Sequence, residues 1–238
     1  MKKQIVKYKD LGNIGYSQAW DLQEKLLAQN LEWKTEARQN GQNDPHLVET
    51  THHLLFCEHP PVYTLGKSGD LSNVLLDESE MAEKNIEFFR TNRGGDITFH
   101  GPGQVVGYPI FDLEKFSTDI GVYLRNIEEV IIRVLATYGL KGDRSPGETG
   151  VWLDPHEKGK ERKICAIGVR CSRWVTMHGF ALNVNTGLDY FSNIIPCGIP
   201  DKQVTSLSKE LGEVQDIGLV REKLKSAFQE VFQVELED

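Results

Sequence analysis

Three segments near the middle of the second half of the chain, Val151–Leu153, Lys163–Arg170 and Trp174–Val184, mix apolar and polar residues at strand spacing. The longest connection between them is the charged stretch Asp154–Arg162, and that spacing reads as antiparallel. Other strand-like runs are Thr51–Cys57, closed by His59-Pro60-Pro61, then Val62–Leu65, Ile86–Arg90 and Gln104–Phe111. Helical patterns are fewer. Asp21–Gln39 is rich in helix formers and stops at Asn40-Gly41. Asp119 can cap a helix in which Leu124, Ile127, Ile131, Val134, Leu135 and Tyr138 recur at helical spacing before Gly139. Asp216 opens a last helix with Val220, Leu224, Phe228 and Val231 on one face. Strands in runs, broken by three separated helices, predict an α+β fold: a mixed, largely antiparallel sheet with packed helices, rather than regular βαβ alternation. Residues 1–238 contain no internal repeat or low-complexity tract and are expected to form one domain.

Composition narrows the partners. A formal net charge of −8 argues against a nucleic-acid binder, whose phosphate contacts need a basic face. Lys160, Arg162, Lys163, Arg170 and Arg173 nevertheless cluster in sequence, a local patch that an acidic protein partner could meet within a screening length of about 8 Å. No apolar run approaches the roughly 20 residues that span a bilayer, and the N-terminus lacks a secretory apolar region, so a cytoplasmic protein without membrane contact is expected. Four cysteines with no C-x-x-C pair are read as reduced thiols.

Two phosphate motifs fail on spacing. Gly66-Lys67-Ser68 lacks the glycine five residues earlier that a P-loop needs, and the Gly101, Gly103, Gly107 series has one residue too many for a dinucleotide fingerprint. His52, His53, Cys57 and His59 hold metal-ligand types, but on a strand His53, Cys57 and His59 share one face while His52 takes the other. Two edge histidines and a buried thiol are the simpler account, and no metal or cofactor is expected.

Cys197 differs from the other cysteines. Pro196 and Gly198 bracket it in a turn, the setting in which nucleophiles are presented, whereas Cys57, Cys165 and Cys171 lie in or beside strands and are assigned to core packing. A free thiol is only a few per cent thiolate at neutral pH, and a neighbouring ammonium lowers its pKa. Lys163 is the candidate partner. The segment Arg93–Gln104, too polar and too rich in glycine for core, reads as the wall of a binding site.

These segments in order resemble the lipoyl(octanoyl) transferases, relatives of the lipoate- and biotin-protein ligases. The resemblance rests on Asp10-Leu11-Gly12 with Tyr16 and Ala19-Trp20, Glu58–Gly66, Arg93–Gln104, Lys163–Gly168, His178–Asn183 and Pro196-Cys197-Gly198. It implies Cys197 as acyl-accepting nucleophile and Lys163 as the residue that lowers its pKa and moves protons. It implies an acyl-binding wall of Arg93, Gly94, Gly95, Asp96, Ile97, Thr98, Phe99 and His100, then Ala166, Ile167 and Gly168, then Gly179, Phe180 and Ala181. Phe99 stands where the family more often has tyrosine, Gly187 where aspartate is usual, and Cys165 where alanine is more typical. The implied donor is octanoyl-acyl carrier protein. The implied acceptors are lipoyl domains of 2-oxoacid dehydrogenase complexes and the glycine cleavage H protein. The competing classes are an ATP-dependent lipoate-protein ligase, which needs no cysteine, and a non-catalytic acyl-protein scaffold.

Overall fold

The computed structural model describes residues 3–195 and 203–238. Cys197, together with Pro196 and Gly198, therefore lies outside the described residues.

The chain opens with β1 (Gln4–Asn13) and the long helix α1 (Tyr16–Gln39). Then come β2 (His52–Glu58), β3 (Val62–Leu65), the short α2 (Glu78–Glu83), β4 (Glu87–Arg90), β5 (Ile97–His100) and β6 (Gln104–Ile110). Helix α3 (Ile120–Ala136) leads to β7 (Gly142–Asp143), β8 (Val151–Leu153), β9 (Arg162–Ser172) and β10 (Val175–Asn183). The last described elements are β11 (Gln203–Val204), α4 (Leu207–Leu211), α5 (Ile217–Phe232) and β12 (Val234–Glu237). Among these residues no helix is long and apolar enough to cross a membrane.

Nine strands form one sheet in the order β12-β1-β2-β6-β10-β9-β8-β7, with β11 beside β9, and β4-β3-β5 form a second, smaller sheet. β1 runs parallel to both β2 and β12, while β2–β6, β6–β10, β10–β9 and β9–β8 are antiparallel. The expected mixed, largely antiparallel sheet is the observed one.

Alternation divides the large sheet into two faces. On one, Leu54 and Phe56 of β2, Val105 of β6 and Phe180 and Leu182 of β10 pack under α3 and α5 with Ile127, Val130, Val134, Val220, Leu224 and Phe228. On the other, Leu55, Cys57, Val106, Tyr108, Met177 and Ala181 meet Ala19 and Leu27 of α1. The small sheet has its own cluster of Tyr63, Leu65, Ile86, Ile97 and Phe99, closed by Met81 and Ile194. Asp119 and Asp216 cap α3 and α5 through their side chains, as their positions predicted.

Several expectations need correction. Helix α1 starts at Tyr16, not Asp21, because Gly15 at its N-cap offers no side-chain cap to read. β1, β5, β12 and the two short helices were not anticipated. His52 and His59 are buried, 3 % and 0 % exposed, in or just beyond β2, which has neighbours on both sides and is no edge strand. Cys57 and Cys165 are buried as expected, but Cys171 is exposed near the β9–β10 hairpin tip and packs no core. The basic patch is largely neutralised from within: Arg162 pairs with Asp154 and Glu210, Arg170 with Glu24, and Lys160 with Glu157.

Candidate active site

Between the small sheet and the second face of the large one lies a cavity of about 510 Å³, well within the range of small-molecule sites. Its floor is built by β6, β10 and β9 in register: Ala181 pairs with Val106 on one side and Ala166 on the other, and Gly179 pairs with Gly168. These residues are small or lack side chains, so the floor is low and apolar. From Lys163 to Gly168 it extends about 16 Å at ~3.3 Å per residue.

The roof comes from the loop before β5. Gly94 donates its N–H to Val169 O of β9 at 2.9 Å. This approach requires Gly168, since a methyl there would stand 2.9 Å from Gly94 O and 3.2 Å from Arg93 Cδ. Arg93, 8 % exposed, donates through Nη2 to Thr64 O and Thr64 Oγ1 and through Nη1 to Gly94 O, lacing the loop to β3.

A directional hydrogen-bond chain joins roof to floor. Gln104 Nε2 donates to Asn183 Oδ1 at 2.9 Å and to Phe99 O, which leaves Gln104 Oε1 to accept from His100 Nδ1 at 2.8 Å. His100 Nε2 must then accept from Thr64 Oγ1 at 3.3 Å, while Asn183 Nδ2 donates to Thr205 O. This pattern needs a neutral imidazole. Burial, the nearby His59 ring and Arg93 push its pKa down to about 3. Tyr16 stacks on His100 with centroids 5.9 Å apart, and burial pushes its phenol up to about 12. His178, at positive φ and 1 % exposed, donates from Nε2 to Asn92 Oδ1, because Asn92 Nδ2 is committed to Glu24. Its pKa falls to about 3, through burial first and then Arg93 and Arg170.

At the other end stands Lys163. β10 pairs with β9 only from Cys165 onward, and β11 takes its place beside Arg162 and Lys163, with β8 on the opposite side. The Lys163 Nζ lies 4.6 Å from the centre of the Trp152 ring and 3.9 Å from Glu148 Oε2, with the side chain 14 % exposed. Glu148, Thr149 and Val204 complete this rim.

Among the sequence-derived site residues, Arg93, Gly95, Asp96, Ile97, Thr98, His100, Lys163, Ala166, Ile167, Gly168, Gly179, Phe180 and Ala181 all line the cavity. Gly94 and Phe99 do not. Phe99 turns into the small-sheet cluster, stacked 4.5 Å from Tyr190, so the departure from tyrosine falls in packing rather than on the cavity. Cys165 faces the core beneath α3, and burial pushes its thiol well up. Gly187 precedes the 3-10 turn Leu188–Asn193 without a side-chain cap, which is the anchor an aspartate would supply. Tyr16, Gln104, His178 and Asn183 line the cavity too and were visible only as members of longer motifs, while Tyr108 was visible only as part of a strand. Glu148 and Thr149 also line it, and no motif pointed to them.

Residues 15–229 match the family model described as lipoyl protein ligase A/B catalytic domain. The chain is 57% identical over 233 residues to an octanoyltransferase of Christiangramia forsetii, covering 97% of each, and 54% identical over 237 residues to one of Flavobacterium johnsoniae, covering 99% of this chain and all of the relative. This chain belongs to the octanoyltransferases. It is thus an acyltransferase carrying the lipoyl protein ligase A/B catalytic domain. Among solved structures, a bi-partite lipoate protein ligase from Thermoplasma acidophilum matches over 100% of this chain and 87% of its own, with a TM-score of 0.71 at 18% identity. A lipoate-protein ligase A bound with ATP matches over 100% and 88%, at a TM-score of 0.67 and 16% identity. Those two likenesses establish the shared fold.

Proposed function

We propose that this octanoyltransferase takes an octanoyl group from acyl carrier protein onto Cys197 as a thioester and passes it to a lysine of a lipoyl domain. The acceptors are the lipoyl domains of 2-oxoacid dehydrogenase complexes and the glycine cleavage H protein. Thioester exchange is close to energy-neutral and amide formation is downhill, so the cysteine divides the transfer into two accessible steps without ATP.

The observation that carries this reading is the position of Lys163, at the rim of an apolar cavity and between β8 and β11. The described residues on either side of the Cys197 segment are tied to the cavity lining. Ile195 N bonds to Asn73 O, and Asn73 in turn holds the cavity residue Asp96. Val204, also a lining residue, pairs with Lys163. An acyl carbonyl at the Lys163 end would let the hydrocarbon run over Ala181 and Ala166 toward Gly168 and Tyr108. Each methylene so buried contributes about 0.8 kcal/mol.

In this scheme Lys163 holds the Cys197 proton, giving a thiolate and an ammonium, then delivers that proton to the departing phosphopantetheine thiol. Its neutral amine next deprotonates the incoming lysine, which is otherwise an ammonium and no nucleophile. Mixing the protein with octanoyl-acyl carrier protein, without ATP or acceptor, should give an octanoyl adduct that peptide mapping places on Cys197. Adding a lipoyl domain should discharge it. A folded, thiol-intact sample that forms no adduct, yet acylates the acceptor from free octanoate and ATP, would refute the proposal.

A further inference from the structure

Proton balance in the thioester route exposes a step that Lys163 cannot serve alone. The acceptor lysine arrives as an ammonium with three N–H bonds and departs as a secondary amide with one. The first of its two lost protons refills Lys163, which has given its own to the pantetheine thiol. Attack then forms the C–N bond, and the adduct nitrogen carries two hydrogens and a positive charge. Collapse breaks the C–S bond and releases the Cys197 thiolate, leaving a second proton on nitrogen. Lys163 is by then an ammonium again, and a thiolate that kept the proton would not regenerate the starting ion pair. Over one turnover a proton must reach water through another acceptor.

We propose that Glu148 is that second acceptor: its carboxylate takes the proton from the collapsing adduct and releases it to solvent. The assignment rests on the thioester reading above. Glu148 Oε2 is 3.9 Å from Lys163 Nζ, its side chain is 17 % exposed, and it lines the cavity rim. It therefore touches both the reacting end of the cavity and water.

The loop that carries it is held from beneath. Glu128 of α3, 0 % exposed, accepts from Arg144 Nε at 3.0 Å and from Gly150 N at 3.1 Å, so one buried carboxylate pins both ends of the Glu148 loop. Arg144 also binds Glu129 and Arg125 O. Gly150 sits at φ +123° against Cys165 O, a conformation that side chains resist. Among the described residues, Arg125 and Arg144 pair with Glu128, and Arg162 pairs with Asp154 and Glu210. The Trp152 ring packs against the Lys163 ammonium from another side, 4.6 Å from Nζ to the ring centre, and so fixes the end of the side chain beside Glu148.

The test separates the two half-reactions by intact mass in Glu148→Gln, Glu148→Asp and Glu148→Ala, with thermal melts to confirm folding. Glu148→Gln should slow discharge of the octanoyl adduct onto a lipoyl domain by about 100-fold, as loss of a general base does, and slow adduct formation far less. Discharge by the variant should accelerate with pH more steeply than wild type, Glu148→Asp should recover part of the rate, and acetate should rescue Glu148→Ala. Equal slowing of both half-reactions would make Glu148 a positioning residue for Lys163 and overturn the assignment. So would unchanged discharge, or discharge with a wild-type pH profile and no acetate rescue. Wild-type protein that forms no adduct would overturn the thioester reading and this assignment with it, an outcome distinct from a defect confined to the variants.

Discussion

The two faces of the large sheet are made by the same strands and do opposite work. Under α3 and α5, the rings of Phe56, Phe180 and Phe228 meet edge-on or stacked within 6.4 Å in a largely apolar cluster. Facing it, Gln104 and Asn183 of the large sheet, His178 at its positive-φ position and His100 of β5 in the small sheet gather around a cavity. The first face closes by displacing water over its whole area. The second leaves a space unfilled, and the chain from Thr64 through His100 and Gln104 to Asn183 is tolerated there because its polar atoms bond to one another. Stability and chemistry are thus separated by the pleat, which suggests that each face can be damaged with limited effect on the other.

The largest expected effect is that of Cys197→Ala, which on the thioester proposal should abolish octanoyl transfer while leaving the melting curve close to wild type. Lys163→Ala should follow, lowering transfer by 10²–10⁴-fold, the usual contribution of a positioned proton carrier, and raising the pH at which Cys197 reacts with an alkylating agent. An unchanged pH–reactivity curve would remove Lys163 from the mechanism. On the opposite face, Phe228→Ala should cost about 3–5 kcal/mol of unfolding free energy in urea. Its specific activity per folded molecule should hold. If activity fell in proportion to stability, the two faces would not be separable.

Acid should reach the polar side first. His59, His100 and His178, with folded pKa values lowered from 6.5 to about 4, 3 and 3, bind protons more readily when unfolded. Their stabilising contribution is complete above pH 6.5 and is lost as pH falls toward those values, by up to about 1.4 kcal/mol per pH unit for each. His52, lowered to about 4 by burial, adds to the same slope from the other side of β2. Urea midpoints between pH 7 and 5 should therefore drop, and replacing His59 by Gln should flatten the slope. The smallest expected effect is Gly187→Asp, a new cap for the Leu188–Asn193 turn. A methyl there meets the Tyr190 ring only at 3.6 Å, so a gain of a few tenths of a kcal/mol is expected in the same titration.

What could be read from the sequence followed the same division. Val62–Leu65 and Val151–Leu153 coincide with strands, and Asp119 and Asp216 mark helix starts because their side chains do the capping. β1 escaped because only Val6 in it is fully buried, so its charges mask the period of two. β5 escaped because four strand residues lie among glycines and turns. Helix α2 carried a readable capping box, Asp77 with Glu80, before a helix of only six residues. Lys163 drew attention only as a partner for Cys197 and through the family resemblance, and the glycine-rich wall through its polarity; Lys163 and most of that wall line the cavity. Glu148 was not legible, since its meaning depends on a lysine fifteen positions away in sequence and 3.9 Å away in space. The chain from His100 to Thr205 was equally hidden, as no spacing rule links Gln104 to Asn183.

The strand order also bears on how copies of this protein behave when crowded. A sheet of nine strands is open at both ends, and an open edge of unpaired amides invites another chain to add on. Here one end is β7, only two residues long, and the other is β12, where Glu235 and Glu237 are set into the outermost strand. Brevity at one end and repeated negative charge at the other deny a neighbouring molecule a long neutral edge. An enzyme whose partners must come and go can thereby keep its sheet from recruiting another copy.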